Sequence, residues 1–294
     1  MIVTPEQQPR WNAIIVDTLR FFTEFCEEHH LTYYCCGGTA IGAVRHHGLI
    51  PWDDDIDVFM PRPDYDRFIQ LTATVEWDDY ELVTPYNKDD YPLSYAKLCN
   101  RHTTLIEEAD KLCVYGLFID IFPLDGAPDD IEEGHALVHR FVKTRYKLEA
   151  VSSHYSFMEY IKLLLRPKEW GRFIRKTIAF FFRQPYRRRL LHQLSDICYQ
   201  QDYETAKNVI NYCGAYGVKE LFPKEWIKGK EPFSFEGITV YLPSDYDNYL
   251  RHIYGDYMQL PPEEKRVAHH LKAYFNLNER VTDQEAIRAA RSKA

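Results

Sequence analysis

Apolar residues in the first quarter of the chain recur with two different spacings. From Thr4 to His30 they return every three or four residues, as expected for an amphipathic helix. Residues 31–36 (LTYYCC) and 56–60 (IDVFM) are instead short, β-prone runs. The predicted order is a helix over 4–30, a strand over 31–36, a helix over 39–45, a strand over 56–60 and a helix over 63–72.

The pattern changes near residue 130. Before this point, short apolar runs predict strands over 80–83, 93–98, 103–107 and 114–122, and Pro123 is expected to end the last one. Beyond it, helical spacing extends over 131–150, 155–182 and 184–202, followed by a mixed segment over 212–270 and a polar helix over 283–294. Strands followed by helices predict an α+β fold, with a mixed-sheet core flanked by helices and an appended helical subdomain.

Composition narrows the classes of protein that fit. A formal net charge of −8 argues against a general nucleic-acid binder, whose surface is normally basic. The seven cysteines include no CxxC pair, which argues against a zinc framework, and adjacent Cys35 and Cys36 are expected in a strand core. Because the N-terminus lacks a signal-peptide pattern and no apolar run is long enough to span a bilayer, we expect a cytoplasmic protein.

Four aspartates stand within five positions, at residues 53, 54, 55 and 57. Alternation along a strand would place Asp55 and Asp57 on one face, where paired carboxylates suit Mg²⁺. Asp120, the single acid in the apolar run VYGLFIDIF, is the candidate third ligand, since such a buried acid is costly unless paired or bound to metal. An acidic turn or helix cap is the alternative interpretation, and Asp53 and Asp54 could bind metal or anchor the loop.

A glycine turn precedes these acids. Gly37 and Gly38 would let the backbone approach a ligand closely, and amides at the start of the next helix, with Thr39, can hold phosphate oxygens. Arg45 could meet a phosphate or form a surface salt bridge. Trp52 could stack on a base or a quaternary ammonium, or act as a structural plug holding the loop.

Two further cations occur in the strand-like run YAKLCNR. Lys97 stands in an otherwise apolar and aromatic stretch, and Arg101 follows at its end. Both are candidate phosphate contacts, and Lys97 is the better of the two.

Several blocks of the sequence, in order, resemble the LicD family of the nucleotidyltransferase superfamily. They are GGTAIGAVRHHGLIPWDDDIDVFMPRPDYDRF, YAKLCNRHTTLIEE, GLFIDIFPLD and LPSDYDNYLRHIYGDYMQLPPEEKRVAHH. The superfamily pattern of a glycine turn, an acid–x–acid strand and a later third acid is matched by Asp55, Asp57 and Asp120. The resemblance implies a nucleotidyltransferase-like catalytic core over residues 1–130, and a C-terminal segment, 212–294, that completes the active site.

The activity implied by the resemblance is Mg²⁺-dependent transfer of phosphocholine, or a related phospho-alcohol, from a CDP-linked donor to a sugar hydroxyl of a teichoic acid or other cell-surface glycan precursor. One or two ions are expected, and Mn²⁺ could substitute. Asp53, Asp54 and Asp120 are the candidate general bases. The last block that resembles the family contains the candidates for closing over the donor phosphates, Lys265, Arg266 and His269. Nucleotidyl transfer and a catalytically silent membrane-associated scaffold are the alternative functions.

The helical part over residues 131–211 is strongly basic at its centre. Residues 161–191 carry ten lysines and arginines against one glutamate, interleaved with apolar residues. Such a surface could contact anionic lipid at the inner face of the cell membrane, which would suit a lipid-linked glycan acceptor. The alternatives are a solvated basic helix face and a site for a polyanionic acceptor.

Overall fold

The computed structural model describes residues 1–153, 170–171, 174, 177, 181–267 and 271–292. Its α-helices are α1 (Gln8–Glu28), α2 (Gly37–Arg45), α3 (Arg62–Thr72), α4 (Ile131–Ser152), α5 (Arg183–Cys198), α6 (Tyr246–Tyr254) and α7 (Asp283–Ser292). Its strands are β1 (Tyr34–Cys35), β2 (Asp57–Pro61), β3 (Tyr80–Val83), β4 (Ala96–Asn100), β5 (Thr104–Ile106), β6 (Phe118–Ala127), β7 (Asn208–Ile210), β8 (Leu221–Pro223), β9 (Lys230–Phe235), β10 (Ile238–Pro243) and β11 (Tyr274–Asn276).

A seven-stranded mixed sheet forms the centre of the fold, in the order β1-β2-β6-β4-β3, with β7 joined to β6 and β8 to β7. Only β2 and β6 among these strands run parallel, and their register places Asp57 beside Asp120. The hairpin β9–β10 and the pair β5–β11 lie outside this sheet. The predicted α+β class and mixed sheet are therefore confirmed.

The strand β6 differs from its prediction at both ends. Residues 114–117 precede the strand, and β6 continues through Pro123 to Ala127. On the side away from β2, β4 pairs only as far as Ile121 and β7 begins pairing at Asp125, so Pro123 falls between the two ladders. A residue without an N–H group is accommodated at such an unpaired edge.

One hydrophobic core joins the sheet to its helices. It includes α1 side chains such as Leu19 and Phe22, central strand residues such as Ile119, and Phe141 and Leu194 from α4 and α5. Helices α4, α5 and α6 thus pack onto the same core as the first part of the chain, whereas Ala286 and Ala290 of α7 belong to a smaller cluster with Ile106 and Val114. None of the described helices combines the length and apolar character needed to cross a bilayer.

Candidate active site

The predicted acids converge on a cavity of about 950 Å³ beside the β2–β6 pair. Asp57 is the first residue of β2, Asp55 lies in the loop before it, and Asp120 is the neighbour of Asp57 in the parallel register. All three line the cavity, as does Asp53. The sheet therefore brings together two acids that lie more than sixty residues apart in sequence.

The position of Asp57 is fixed by the backbone of the glycine turn. Its amide donates to Thr39 Oγ1 at 2.8 Å, and its carbonyl accepts from the Cys36 amide at 3.1 Å. Gly37 has φ +58°, and a Cβ there would lie 3.0 Å from Asp57 Oδ2. Glycine is thus required both for the backbone conformation and for the close approach of this carboxylate.

Without a bound cation, ionisation of the clustered carboxylates of the site is unfavourable. Burial, with the charges of Asp55 and Asp120, raises the pKa of Asp57 well above its ordinary value. A divalent cation would remove this cost, because it favours the ionised form of each acid. The donor set of aspartate oxygens fits Mg²⁺ or Mn²⁺, which prefer oxygen ligands.

Asp120 is held from behind by a buried cation. Lys97 Nζ donates to Asp120 Oδ1 at 2.6 Å, lies 3.4 Å from Glu107 Oε2, and sits over the Phe118 ring. Burial raises the pKa of Asp120 to about 6, and Lys97 opposes this rise. Lys97 is only 1% exposed and is not among the residues that line the cavity, so it supports Asp120 instead of facing a ligand directly.

The acidic loop before β2 is anchored by both ends of the chain. The Trp11 indole in α1 donates to the Asp54 carbonyl at 2.8 Å, and Lys272 Nζ lies 3.4 Å from Asp54 Oδ2. Oxygens of Asp53, Asp54 and Asp55 lie within 4.8 Å of one another, which is close enough to share a cation. The buried Asp54 thus anchors the loop, while Asp53 and Asp55 face the cavity.

Helix α2 begins at the glycine pair, and no side chain caps it. Gly37 and Gly38 line the cavity, and a Cβ on Gly38 would lie 2.3 Å from Asp53 Oδ2. The N-terminal amides of a helix, together with its dipole, favour an anion at this end. The predicted phosphate position therefore adjoins the predicted metal ligands.

Cations also line the same cavity. Arg45 lines it and donates to the Tyr257 carbonyl at 2.6 Å, and Lys265 and Trp52 line it as well. The Arg266 guanidinium lies 5.7 Å from the Trp52 ring centroid. The fold thus brings the family-like C-terminal segment against the loop that carries the acids.

Of the predicted binding residues, Thr39, Lys97, Arg101 and Arg266 are not among the described residues that line the cavity. Arg101 follows β4 at the far end of that strand, is exposed, and donates to the Trp77 carbonyl at 2.9 Å. His269 lies outside the described residues. The adjacent Cys35 and Cys36 are buried in the core, as expected.

The sequence reasoning missed several residues that line the cavity, including one acid and three tyrosines. Glu220, Tyr216, Tyr249 and Tyr254 form one end of it, next to Gly37. A signal was present, because GAYGVKE (214–220) holds an isolated acid between glycines and an apolar strand. It could not be assigned to the site without knowing that this segment returns to the glycine turn.

Similarity to known proteins identifies the family of the chain. Residues 30–164 match the sequence profile described as LicD/FKTN/FKRP, nucleotidyltransferase domain. The chain is 31% identical over 270 residues to the lipopolysaccharide cholinephosphotransferase LicD of Haemophilus influenzae, covering 90% of this chain and 96% of the relative.

Two uncharacterized rickettsial proteins match over shorter stretches. The identity is 40% over 59 residues for a protein of Rickettsia typhi, covering 20% of this chain and 19% of the relative. It is 36% over 62 residues for one of Rickettsia prowazekii, covering 19% of this chain and 23% of the relative. The nearly full-length match, together with the profile, shows that the chain belongs to the LicD family of phosphotransferases.

Proposed function

We propose that the protein transfers phosphocholine, or a closely related phospho-alcohol, from a CDP-activated donor to a hydroxyl of a cell-surface glycan precursor. The observation that carries the proposal is the convergence of Asp55, Asp57 and Asp120 beside an uncapped glycine-rich helix start in one large cavity. The relative named as a lipopolysaccharide cholinephosphotransferase supports the choice of group and acceptor class.

Different residues of the chain would bind the metal ion and the donor phosphates in this reaction. Asp55, Asp57 and Asp120 would hold Mg²⁺, which neutralises charge on the diphosphate as CMP leaves. The amides of Gly37 and Gly38 would hold donor phosphate oxygens. These groups orient the donor so that an acceptor hydroxyl can approach its phosphorus in line.

A general base is needed for the acceptor hydroxyl. The hydroxyl oxygen forms a bond to the phosphorus of the phosphocholine group, the bond from that phosphorus to the CMP oxygen breaks, and the hydroxyl proton passes to a carboxylate. Asp53 is the candidate we favour among the predicted bases. It lines the cavity beside Gly38 and is not one of the three proposed metal ligands, whereas Asp54 does not line the cavity.

The test is a panel of CDP-linked donors, and CTP in parallel, incubated with Mg²⁺ and a glycan acceptor, with CMP and pyrophosphate measured separately. We expect CMP release that depends on both acceptor and metal, because the acids serve the donor diphosphate. Pyrophosphate release from CTP, with no CMP from any CDP-linked donor, would instead establish nucleotidyl transfer. Absence of both products would indicate that the protein has a non-catalytic role.

A further inference from the structure

One end of the active-site cavity combines tyrosine rings with a buried carboxylate. Tyr216 and Tyr254 pack edge to face, with ring centroids 5.0 Å apart, and both line the cavity together with Tyr249 and Glu220. Glu220 ends the short 3-10 helix Gly217–Glu220 and is 6% exposed. This group of four residues is called the tyrosine box below.

The carboxylate of Glu220 has no cationic partner among the described residues. Its Oε1 accepts the Tyr216 amide at 3.2 Å, and its side chain packs against Gly214, where a Cβ would lie 2.2 Å from Oε1. The neighbouring Lys219 is turned away and donates to the Ile253 carbonyl at 3.4 Å. Burial raises the pKa of Glu220 to about 7. Ionising this carboxylate is costly, because no cation among the described residues pairs with it.

The tyrosine box adjoins the site where the donor phosphates are expected. The Tyr254 hydroxyl lies 3.7 Å from the position a Cβ would take on Gly37, and the Gly37 amide donates to the Tyr249 hydroxyl at 3.5 Å. The same Cβ position is 3.0 Å from Asp57 Oδ2. The tyrosine box and Asp57 therefore both adjoin Gly37.

We propose that the tyrosine box binds the quaternary ammonium of the choline moiety, so that Glu220, Tyr216 and Tyr254 select the group that is transferred. This inference rests on the proposed function. Aromatic faces attract quaternary ammonium ions, and a buried carboxylate supplies the opposite charge. An ethylene bridge separates the choline nitrogen from its phosphoester oxygen, so a cation bound here keeps its phosphorus beside the glycine turn.

The competing occupant is the cytosine base, whose amino group can also donate to a glutamate. The ribose and its phosphate linkage hold cytosine further from the transferred phosphorus than the ammonium lies. The tyrosine box is next to the glycine turn, which favours the shorter reach of choline. The two occupants make opposite predictions for CMP, which contains cytosine and lacks choline.

The test measures binding of CDP-choline and of CMP, each with Mg²⁺, by titration calorimetry. Glu220→Gln removes the charge and keeps the shape, so we expect the affinity for CDP-choline to fall about tenfold or more, with the affinity for CMP unchanged. Tyr254→Leu should give the same selective loss, whereas Tyr254→Phe, which keeps the ring face, should not. Glu225→Gln is the matched control, because this exposed glutamate in the next turn lies outside the cavity.

The outcomes separate the two proposals. Equal losses for CDP-choline and CMP in the Glu220→Gln variant would assign the tyrosine box to cytosine and overturn the inference. Unchanged binding of both ligands would overturn it as well. If the wild-type protein releases CMP from CDP-choline in either case, the proposed function stands while the choline assignment fails. A wild-type protein that ignores CDP-choline but releases CMP from another CDP-linked donor would overturn the choline assignment alone, and a protein that releases CMP from no CDP-linked donor would end both.

Discussion

Asp57 shows at the residue scale what a proposed cation site costs the protein when no cation is bound. Its carboxylate is buried beside Asp55 and Asp120, and burial with these like charges raises its pKa. When the pKa of an acid is higher in the folded protein than in the unfolded chain, the protein loses folding stability as the pH rises through the folded-state pKa. At neutral pH, the metal-free protein therefore bears a cost at this residue.

Asp57→Asn should remove that cost and the activity together. We expect the metal-free variant to melt at a higher temperature than the wild type, and Mg²⁺ to raise the melting temperature of the wild type alone. Turnover should fall by at least about a hundredfold, because an electrostatic contact to the reacting phosphate is lost. Thermal unfolding with and without Mg²⁺, alongside a CMP-release assay, measures both effects.

Asp79→Asn is the control for this substitution, since Asp79 is exposed and pairs with His102 away from the cavity. It should change neither the Mg²⁺ response nor turnover. Full activity in Asp57→Asn, or an unchanged Mg²⁺ stabilisation, would remove Asp57 from the metal site.

Glu220 gives a separate pH prediction. Its pKa is raised by burial from 4.5 to about 7, so the folded protein binds more protons than the unfolded chain between these values. Stability is therefore lost as pH rises through this window, by about 3 kcal/mol in total. Glu220→Gln cannot titrate, so its unfolding free energy relative to wild type should increase between pH 5 and pH 8. Urea unfolding at the two pH values measures this, and a constant difference would contradict the burial argument.

The residue scale also shows what the sequence could predict. Asp120 was identifiable because one acid interrupts a long apolar run, and acids in such runs need a partner. The partner that the structure provides, Lys97, was instead predicted as a phosphate contact. Its role depends on β4 lying next to β6 in a register that pairs Lys97 with Asp120. Strand order of this kind is set by packing across the whole sheet, which local patterns do not reveal.

At the scale of elements, helix α1 is the support for the acidic loop. The hydrogen bond from the Trp11 indole to the Asp54 carbonyl joins the two directly, and the Trp11 ring packs edge to face on Phe275, with centroids 5.5 Å apart. The helix was predicted from its apolar spacing. Its contact with the loop was not, because a tryptophan in an amphipathic helix is normally only part of the core.

Trp11→Phe should loosen the loop without unfolding the helix. Phenylalanine keeps an aromatic ring in the core but cannot donate a hydrogen bond, so we expect a stability loss of about 1 kcal/mol. We also expect a higher Mg²⁺ concentration for half-maximal activity, because the loop carries Asp53 and Asp55. Trp77→Phe is the matched control, since Trp77 packs on Phe21 on another face of α1. The same Mg²⁺ requirement in both variants would show that the indole does not position the loop.

At the scale of the whole molecule, exposed basic residues could bring the enzyme to the proposed lipid-linked glycan acceptor. The basic segment over residues 161–191 lies largely outside the described residues, but its end, at Arg187, Arg188 and Arg189, lies within α5. Arg187 is 2% exposed and donates to the Pro85 and Tyr91 carbonyls at 2.9 Å, so it is a structural residue. Arg188 and Arg189 are exposed and remain candidates for contact with anionic lipid.

The double substitution Arg188→Gln and Arg189→Gln tests peripheral membrane contact. Each well-placed cation contributes about 1 kcal/mol near an anionic surface, so partitioning onto phosphatidylserine vesicles should weaken by about 10- to 30-fold. Co-sedimentation at low and moderate salt measures the change. The control pair is Arg288→Gln and Arg291→Gln, at exposed positions of α7. Unchanged partitioning, or the same loss in the control pair, would count against a specific membrane surface on α5.

The ion pair between Lys272 and Asp54 links the acidic loop to a part of the chain more than two hundred residues away in sequence. Both side chains are buried, so neither can move without disturbing the packing around the other. A substitution around Lys272, although distant in sequence from every proposed metal ligand, would therefore be transmitted to the loop that carries Asp53 and Asp55.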